Sequence, residues 1–437
     1  MDISWVDLLG GEGACWRHTR APHRFLAMNT PKPPASKILS GLPALSRRSF
    51  LAAAGLGAAA LGVPAPGRAA EKVIPGFEPA PEDPKASQGW QPVSDRKIRV
   101  GLVGYGVCKF GAAFGFQSHP NVEVTAVSDL VPERCAQLAR VTRCAKTYPS
   151  LEKLIEDDRI EAVFVATDAP NHARHSIAAL QRGKHVACAV PAVFGSLEDA
   201  DALLAAVRTS GRHYMMFETS CFHEDLWAMR TLYRAGALGE LVYSEGEYYH
   251  YMEQPIDSYR GWRVGLPPQW YPTHSNAYHL GVTGGRFTEV SCLGMPSRIH
   301  HLKPENNAYR NPFGTEIALF RGAEGGMSRM AVSWDTPGAG GEMGRVRGQR
   351  GSFYGRYEGL EKKLPSTRRP PLPPGVSAGG HGGSHGHLMN EFVLSILQNR
   401  RPLIDIGLSL HMTVAGIVAH QSALQGGTWL KIPEYRL

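Results

Sequence analysis

No stretch of the sequence stays apolar for the roughly 20 residues that a membrane-spanning helix needs. The nearest approach is the Ala/Gly-rich run 52–63, so an integral membrane protein is not expected. Cysteine is sparse: seven stand at 15, 108, 135, 144, 188, 221 and 292, with no CxxC pair. That scatter offers neither a disulfide framework nor zinc-ligand spacing, and no metal is expected. No internal repeat is visible, which argues against a solenoid or propeller. The basic surplus also dissolves on inspection. Of the formal charge of +8, the first seventy residues supply +5, and only +3 remains for the rest. Nothing in that remainder forms a basic stripe, so nucleic acid is not an expected partner.

What is present describes a folded protein of more than one core. With 43% hydrophobic and 20% charged residues the composition is that of a globular protein, and 437 residues exceed one typical core. Near the start, Ser46-Arg47-Arg48-Ser49-Phe50-Leu51 precedes the mild apolar run, and Gly67-Arg68-Ala69-Ala70 supplies small residues after it. This order resembles a twin-arginine (Tat) export signal, which implies the Tat machinery as a partner and a periplasmic or otherwise exported location. A chance Arg-Arg before a buried helix is the competing explanation. Tat export carries folded proteins, so a cofactor would be inserted beforehand. An exported enzyme without a free nucleotide pool must return its hydride to the first substrate or hand it to a second.

Four regions follow: a signal region 1–70, a Pro-rich linker or arm 71–96, a Rossmann domain 97–221, and a substrate and oligomerisation domain 222–437. Apolar runs at 98–103, 122–127, 161–167, 185–190 and 214–217 alternate with helical patterns, the signature of a doubly wound parallel sheet. After a helix at about 223–235 the rhythm changes. Strand-like runs at 241–251, 288–293, 298–302, 316–320 and 327–334 follow without intervening helices, and two helical stretches, 387–398 and 408–424, end the chain. The expected fold class is therefore α/β: an N-terminal Rossmann domain and a C-terminal α+β domain with a mostly antiparallel open sheet.

Gly104-Tyr105-Gly106 directly follows the first strand, with Gly101 before it, Val107 after it and Gly111 beyond. Glycines there permit a tight turn and bring backbone N–H groups to a pyrophosphate. Lys109 stands where a third glycine is usual. Asp129 ends the second strand 23 residues beyond Gly106, where a carboxylate binds ribose hydroxyls and repels a 2′-phosphate. NAD is the expected cofactor, Arg134 keeps NADP open, and an empty Rossmann-like fold is the bland alternative.

From Lys97 onward the chain resembles the Gfo/Idh/MocA oxidoreductase family. The residues that carry this are the Val-Gly-Leu-Val-Gly-Tyr-Gly turn at 100–106, Ala166-Thr167-Asp168-Ala169-Pro170-Asn171-His172, the run 178–186, and Gly236-Ala237-Leu238-Gly239-Glu240-Leu241. The resemblance implies cofactor contacts at Thr167, Asn171, His172, Ala189, Val190 and Thr219, and a homo-oligomer formed through the open sheet. Family dehydrogenases read Glu-Lys-Pro where this chain has Ala189-Val190-Pro191, so the usual proton-transfer lysine is replaced by Val190. That version is similar to the glycoside hydrolase family 109 branch, which contains α-N-acetylgalactosaminidases. Met215-Met216-Phe217-Glu218, Tyr271-Pro272-Thr273-His274 and Gly380-His381-Gly382-Gly383 lean the same way. The branch has Glu at Ala189, Asn at Thr219 and Tyr at Phe222, and these departures leave its exact substrate and activity open.

The resemblance implies a small-molecule carbohydrate substrate and a redox-neutral route: a hydroxyl is oxidised, the ketone acidifies a neighbouring C–H, the anomeric substituent is eliminated, water adds and the hydride returns. Hydride exchange between two sugars is the other form. His274 matches the family's catalytic histidine, and an imidazole suits proton shuttling. Tyr271 is a candidate donor, explained equally well as packing beside Trp270. Glu218 is a candidate base or ribose contact, or a plain surface carboxylate. Arg263, Thr273, Tyr278 and His381 are candidate sugar contacts. His381, His385 and His387 lack an adjacent carboxylate or cysteine, so the loop is read as a substrate cover rather than a metal site. The alternative from another class is an exported, non-catalytic sugar-binding or structural protein that kept the fold.

Overall fold

The computed structural model describes residues 83–437, which fall within one compact unit. Residues 1–82, with the expected signal region 1–70 and the first part of the expected arm, lie outside the described residues. The first sheet is built from β1 (Ile98–Val103), β2 (Val122–Ser128), β3 (Thr147–Tyr148), β4 (Ala162–Val165), β5 (His185–Cys188) and β6 (Tyr214–Met216). Its order is β3-β2-β1-β4-β5-β6, parallel throughout. Helices α1 (Phe110–Ala113), α2 (Pro132–Thr142), α3 (Leu151–Leu154), α4 (His172–Gln181) and α5 (Leu197–Ser210) accompany it. β4 and β6 are buried at every residue, which is why the strands read as unbroken apolar runs. The strand order reverses between β1 and β4, the switch point where ligands bind in such sheets.

After α6 (Glu224–Arg234) come β7 (Leu241–Tyr249), α7 (Thr273–Thr283), β8 (Phe287–Pro296), β9 (Phe313–Gly322), β10 (Met327–Ser333), β11 (Gly341–Gly348), β12 (Gly351–Phe353) and β13 (Tyr357–Gly359). The chain closes with α8 (His385–Leu397), α9 (Ile406–Leu424) and β14 (Leu430–Lys431). The second sheet runs β13-β12-β11-β7-β10-β9-β8-β14, antiparallel except for the β7–β10 pair. Its fold class is the expected one, with two differences of detail. Residues 298–302 are not a strand: His300–Leu302 is a 3-10 turn, its apolar residues packed under the loop instead of paired in the sheet. Strands β11 to β14 were not anticipated: the Gly- and Arg-rich sequence of the first three hides any alternation, and β14 is only two residues long.

One face of this sheet is covered by α7 and α9, and α9 also reaches β6 and α5 of the first sheet. The other face leaves Val242, Leu293, Met295, Ile317 and Leu319 exposed. α7 lies unusually close to its sheet. Gly246 and Gly344 face each other across β7 and β11, and a Cβ there would stand 2.0 Å from the Ser275 carbonyl oxygen and 2.3 Å from the Tyr278 ring, respectively. Any larger residue would push the helix off.

Candidate active site

The nucleotide end of the site is made mainly by backbone. Gly104 ends β1 at φ +103°, and a Cβ there would lie 2.1 Å from the Ala166 carbonyl oxygen. Only glycine holds that turn against the end of β4. Around Gly106, by contrast, a Cβ would meet nothing within 4 Å, which leaves the approach that a pyrophosphate needs. Gly111 takes over the missing third glycine's packing role, since a Cβ there would stand 2.4 Å from the Gly104 carbonyl oxygen. Asp129 accepts the Tyr105 N–H at 2.6 Å through Oδ2 and the Val131 N–H at 2.8 Å through Oδ1. Its carboxylate thus ties the glycine turn to the end of β2 while lining the cleft.

That cleft contains Gly104, Gly106, Val107, Asp129, Thr167, Asn171, His172, Ala189 and Val190. Thr219 is the one expected cofactor residue outside it. An unpartnered, buried Ser128 hydroxyl adds a free polar group at the same end of β2. These features fit a bound dinucleotide. His172 has Nδ1 2.8 Å from the Pro191 carbonyl oxygen and Nε2 3.1 Å from that of Thr167. Both ring nitrogens therefore face acceptors. Burial opposes its charge, but the Cys188 sulfur and the two carbonyls prevail and raise it to about 9. His175, one turn on, goes the other way to about 4, through burial and then the Arg174 guanidinium. Arg134 sits 3.6 Å from the Asp257 carboxylate at the rim.

Cys108, Phe110, Ala189, Val190, Arg263 and Tyr271 line both this cleft and a smaller inner pocket, which adds Thr219, Tyr248, His274 and His381. Arg263 stacks over Trp262, its guanidinium carbon 4.1 Å from the ring centre. Tyr271 is a wall of the pocket, and burial pushes its hydroxyl pKa up. His381 pairs with His385, Nδ1 to Nε2 at 2.8 Å, and burial lowers the two to about 3 and about 4.

At the inner end His274 occupies the first turn of α7, with Nδ1 2.8 Å from Glu218 Oε1 and 3.5 Å from Glu342 Oε1. Burial opposes its charge, yet the two carboxylates outweigh that and lift it to about 9. Glu218 is not a surface carboxylate. It is fully buried, and Oε1 also accepts the Ser220 N–H at 2.9 Å. Glu342 was not foreseen in the sequence. It comes from β11 opposite Tyr248, accepts the Ser220 hydroxyl at 2.6 Å, and lies 3.3 Å from His223 Nε2. Burial works against its ionisation, but His274, His223 and His381 hold it at about 2. Two expected sugar contacts belong to the scaffold instead. Tyr278 donates its hydroxyl to the Glu342 carbonyl at 3.0 Å, and Thr273 is wholly buried outside the pocket.

Comparison with known proteins agrees with this architecture. Residues 98–218 match the Gfo/Idh/MocA family model, described as an oxidoreductase family with an NAD-binding Rossmann fold. The chain is similar to glycosyl hydrolase family 109 protein 1 of Bacteroides fragilis, 31% identical over 213 residues, 45% of this chain and 45% of that protein. The match thus spans about half the length of that relative. A glycosyl hydrolase family 109 protein of Solibacter usitatus is 23% identical over 386 residues, covering 77% of this chain and 88% of its own. Among solved structures, a levoglucosan dehydrogenase complexed with NADH and levoglucosan superposes with TM-score 0.65 at 18% identity, over 78% of this chain and 100% of that one. An aldose-aldose oxidoreductase from Caulobacter crescentus, complexed with glycerol, gives TM-score 0.60 at 18% identity, over 77% and 100%. At these identities the structural likeness establishes the fold.

Proposed function

Because residues 98–218 match the Gfo/Idh/MocA oxidoreductase family model, we propose that the chain is an NAD-dependent enzyme that oxidises a carbohydrate hydroxyl and restores its own cofactor within each cycle. One observation carries this reading: the dinucleotide cleft and the pocket of His274 share a wall, formed by Ala189, Val190, Arg263 and Tyr271. NAD, when bound, supplies a hydride acceptor and later a hydride donor. The residues do the rest. The glycine turn and Asp129 anchor the nucleotide, apolar Ala189 and Val190 keep water from the passage, and Arg263 with Tyr271 orients sugar oxygens. The hydroxyl proton passes to the imidazole–carboxylate group at the inner end. With Val190 in place of a lysine, no amine at that position competes for that proton.

The net reaction is either glycosidase-like elimination and hydration, or hydride exchange between two sugars. The relatives called glycosyl hydrolase family 109 favour the first, and the Caulobacter aldose-aldose oxidoreductase is a precedent for the second. Both suit an exported protein carrying its nucleotide through the Tat route, which the Arg47-Arg48 signal supports. The exposed apolar face around Leu293, Met295, Ile317 and Leu319 supports a homo-oligomer joined through the open sheet.

The test is to purify the full chain, denature it and identify released nucleotide by mass spectrometry, then assay glycosides for free aglycone against keto sugar. Stoichiometric NAD or NADH is expected, and His274→Ala should abolish turnover while leaving the nucleotide in place. No nucleotide, and no binding of added NAD, would overturn the enzymatic reading in favour of a binding protein.

A further inference from the structure

We propose that Glu218, His274 and Glu342 form a binding site for a divalent first-row cation, zinc or manganese in kind. Each residue offers one ligand atom, and the three atoms lie within 4.8 Å of one another. Donors around a tetrahedral zinc at its usual bond lengths sit about 3.4 Å apart. The His274 Nδ1 separations of 2.8 Å from Glu218 and 3.5 Å from Glu342 therefore need only small adjustment to admit an ion.

The three ligands arrive from separate elements, and each is braced. Glu218 follows β6 and is fixed by the Ser220 N–H, while His274 is held in the first turn of α7. Glu342 rides on β11, fastened by the Ser220 hydroxyl on its side chain and the Tyr278 hydroxyl on its backbone. Such outer-shell hydrogen bonds are what orient metal ligands.

The surroundings of the carboxylates make the same case. The carboxylates of Glu218 and Glu342 are 0% and 7% exposed, and among the described residues their ion-pair partners are imidazoles, never lysine or arginine. A second observation points to a ligand. Glu218 Oε2 is buried without a hydrogen-bond partner, although Oε1 of the same carboxylate has two. One imidazole and two carboxylates with a further position open is the pattern of a catalytic site rather than a closed structural one. Glu342 and His223 also border a wide groove on the far side of the pocket, which provides an entry path. Within the proposed sugar oxidation the three side chains would then hold the cation as a Lewis acid beside the keto group, in place of taking the hydroxyl proton themselves. That role rests on the functional reading above, whereas the binding does not.

The experiment uses the full chain with whatever nucleotide it retains. Metal content is measured by plasma mass spectrometry after purification without chelator. Chelator-treated protein is then titrated with Mn(II), free Mn(II) being followed by electron paramagnetic resonance. Stoichiometric zinc or manganese, or a single tight Mn(II) site competed by Zn(II), is expected. Glu342→Gln should weaken Mn(II) binding by at least about tenfold. Ser220→Ala, which removes one hydrogen bond on the Glu342 carboxylate, should weaken it less and serves if Glu342→Gln does not fold. No tight Mn(II) site in the wild type, or unchanged affinity in both folded variants, overturns the proposal. Nucleotide is measured on the same samples: NAD without metal defeats the cation site alone, and metal without NAD defeats the sugar-oxidation reading alone.

Discussion

The two ends of the cleft are built from different materials. At the nucleotide end, the turn after β1 holds its place by backbone geometry, and even the acidic side chain beside it, Asp129, accepts two backbone N–H groups. At the inner end, three side chains from distant segments, Glu218, His274 and Glu342, are held against one another in the interior. A histidine in each region shows the contrast. His172 and His274 are both raised to about 9, the first by a neighbouring sulfur and two carbonyl dipoles, the second by two full charges. An end made of backbone is unforgiving of shape and tolerant of charge. An end made of opposed charges is the reverse.

The largest expected effect tests the claim about shape. Gly104→Ala forces a Cβ to within 2.1 Å of the Ala166 carbonyl oxygen at a backbone angle that alanine resists. We expect a loss of about 3 kcal/mol in urea unfolding, and no retained nucleotide. Gly106→Ala has open space, so its stability should change by less than about 0.5 kcal/mol while nucleotide affinity still falls. If the two variants lost similar stability, the turn would not be the rigid element described here.

Next in size is a pH effect that separates the two raised histidines. A group whose folded pKa lies above its unfolded value stabilises fully below the unfolded pKa, about 6.5, and loses that contribution as pH rises through the folded one. For His172 the window is therefore about 6.5 to about 9, and the contribution is at most about 3 kcal/mol. His172→Gln should be destabilised at pH 6 and approach the wild type near pH 9.5, as followed by denaturant unfolding. His274 is present in both proteins and cancels in the difference. A stability gap that stays flat with pH would mean that His172 is neutral, with one carbonyl left unpaired.

The same contrast governed how much the sequence could reveal. The parallel sheet was legible because strands buried on both faces are written as contiguous apolar runs, and because the glycine turn and Asp129 are local signals. His274 was legible by its motif. The residues around it were not. Glu218 read as a candidate base, a ribose contact or a surface carboxylate alike, because nothing local says that α7 will lie over it. Glu342 joins the site through antiparallel pairing of β11 with β7, and its nearest sequence clue is Gly344, which lets the strand approach α7. Thr273 and Tyr278 were misassigned by proximity to His274: in a helix buried on all sides, neighbours in sequence point away from the pocket. The expectation of no metal rested on short ligand spacing, which is blind to a set spread from 218 to 342.

The smallest expected effect asks whether Asp129 is only a tether. Each of its oxygens already accepts one backbone N–H, but a carboxylate oxygen has room for a second donor, so ribose hydroxyls can be added without releasing the glycine turn. Asp129→Asn keeps one acceptor and turns an amide NH₂ toward the other N–H, which should cost about 1 kcal/mol of stability. It also removes the negative charge that repels a 2′-phosphate, with Arg134 on the same rim to receive one. The preference for NAD over NADP should therefore fall by about tenfold, or about 1.4 kcal/mol, in paired dissociation constants measured by calorimetry. If stability falls and preference does not, Asp129 serves the backbone alone, and cofactor choice then lies with groups farther along the cleft.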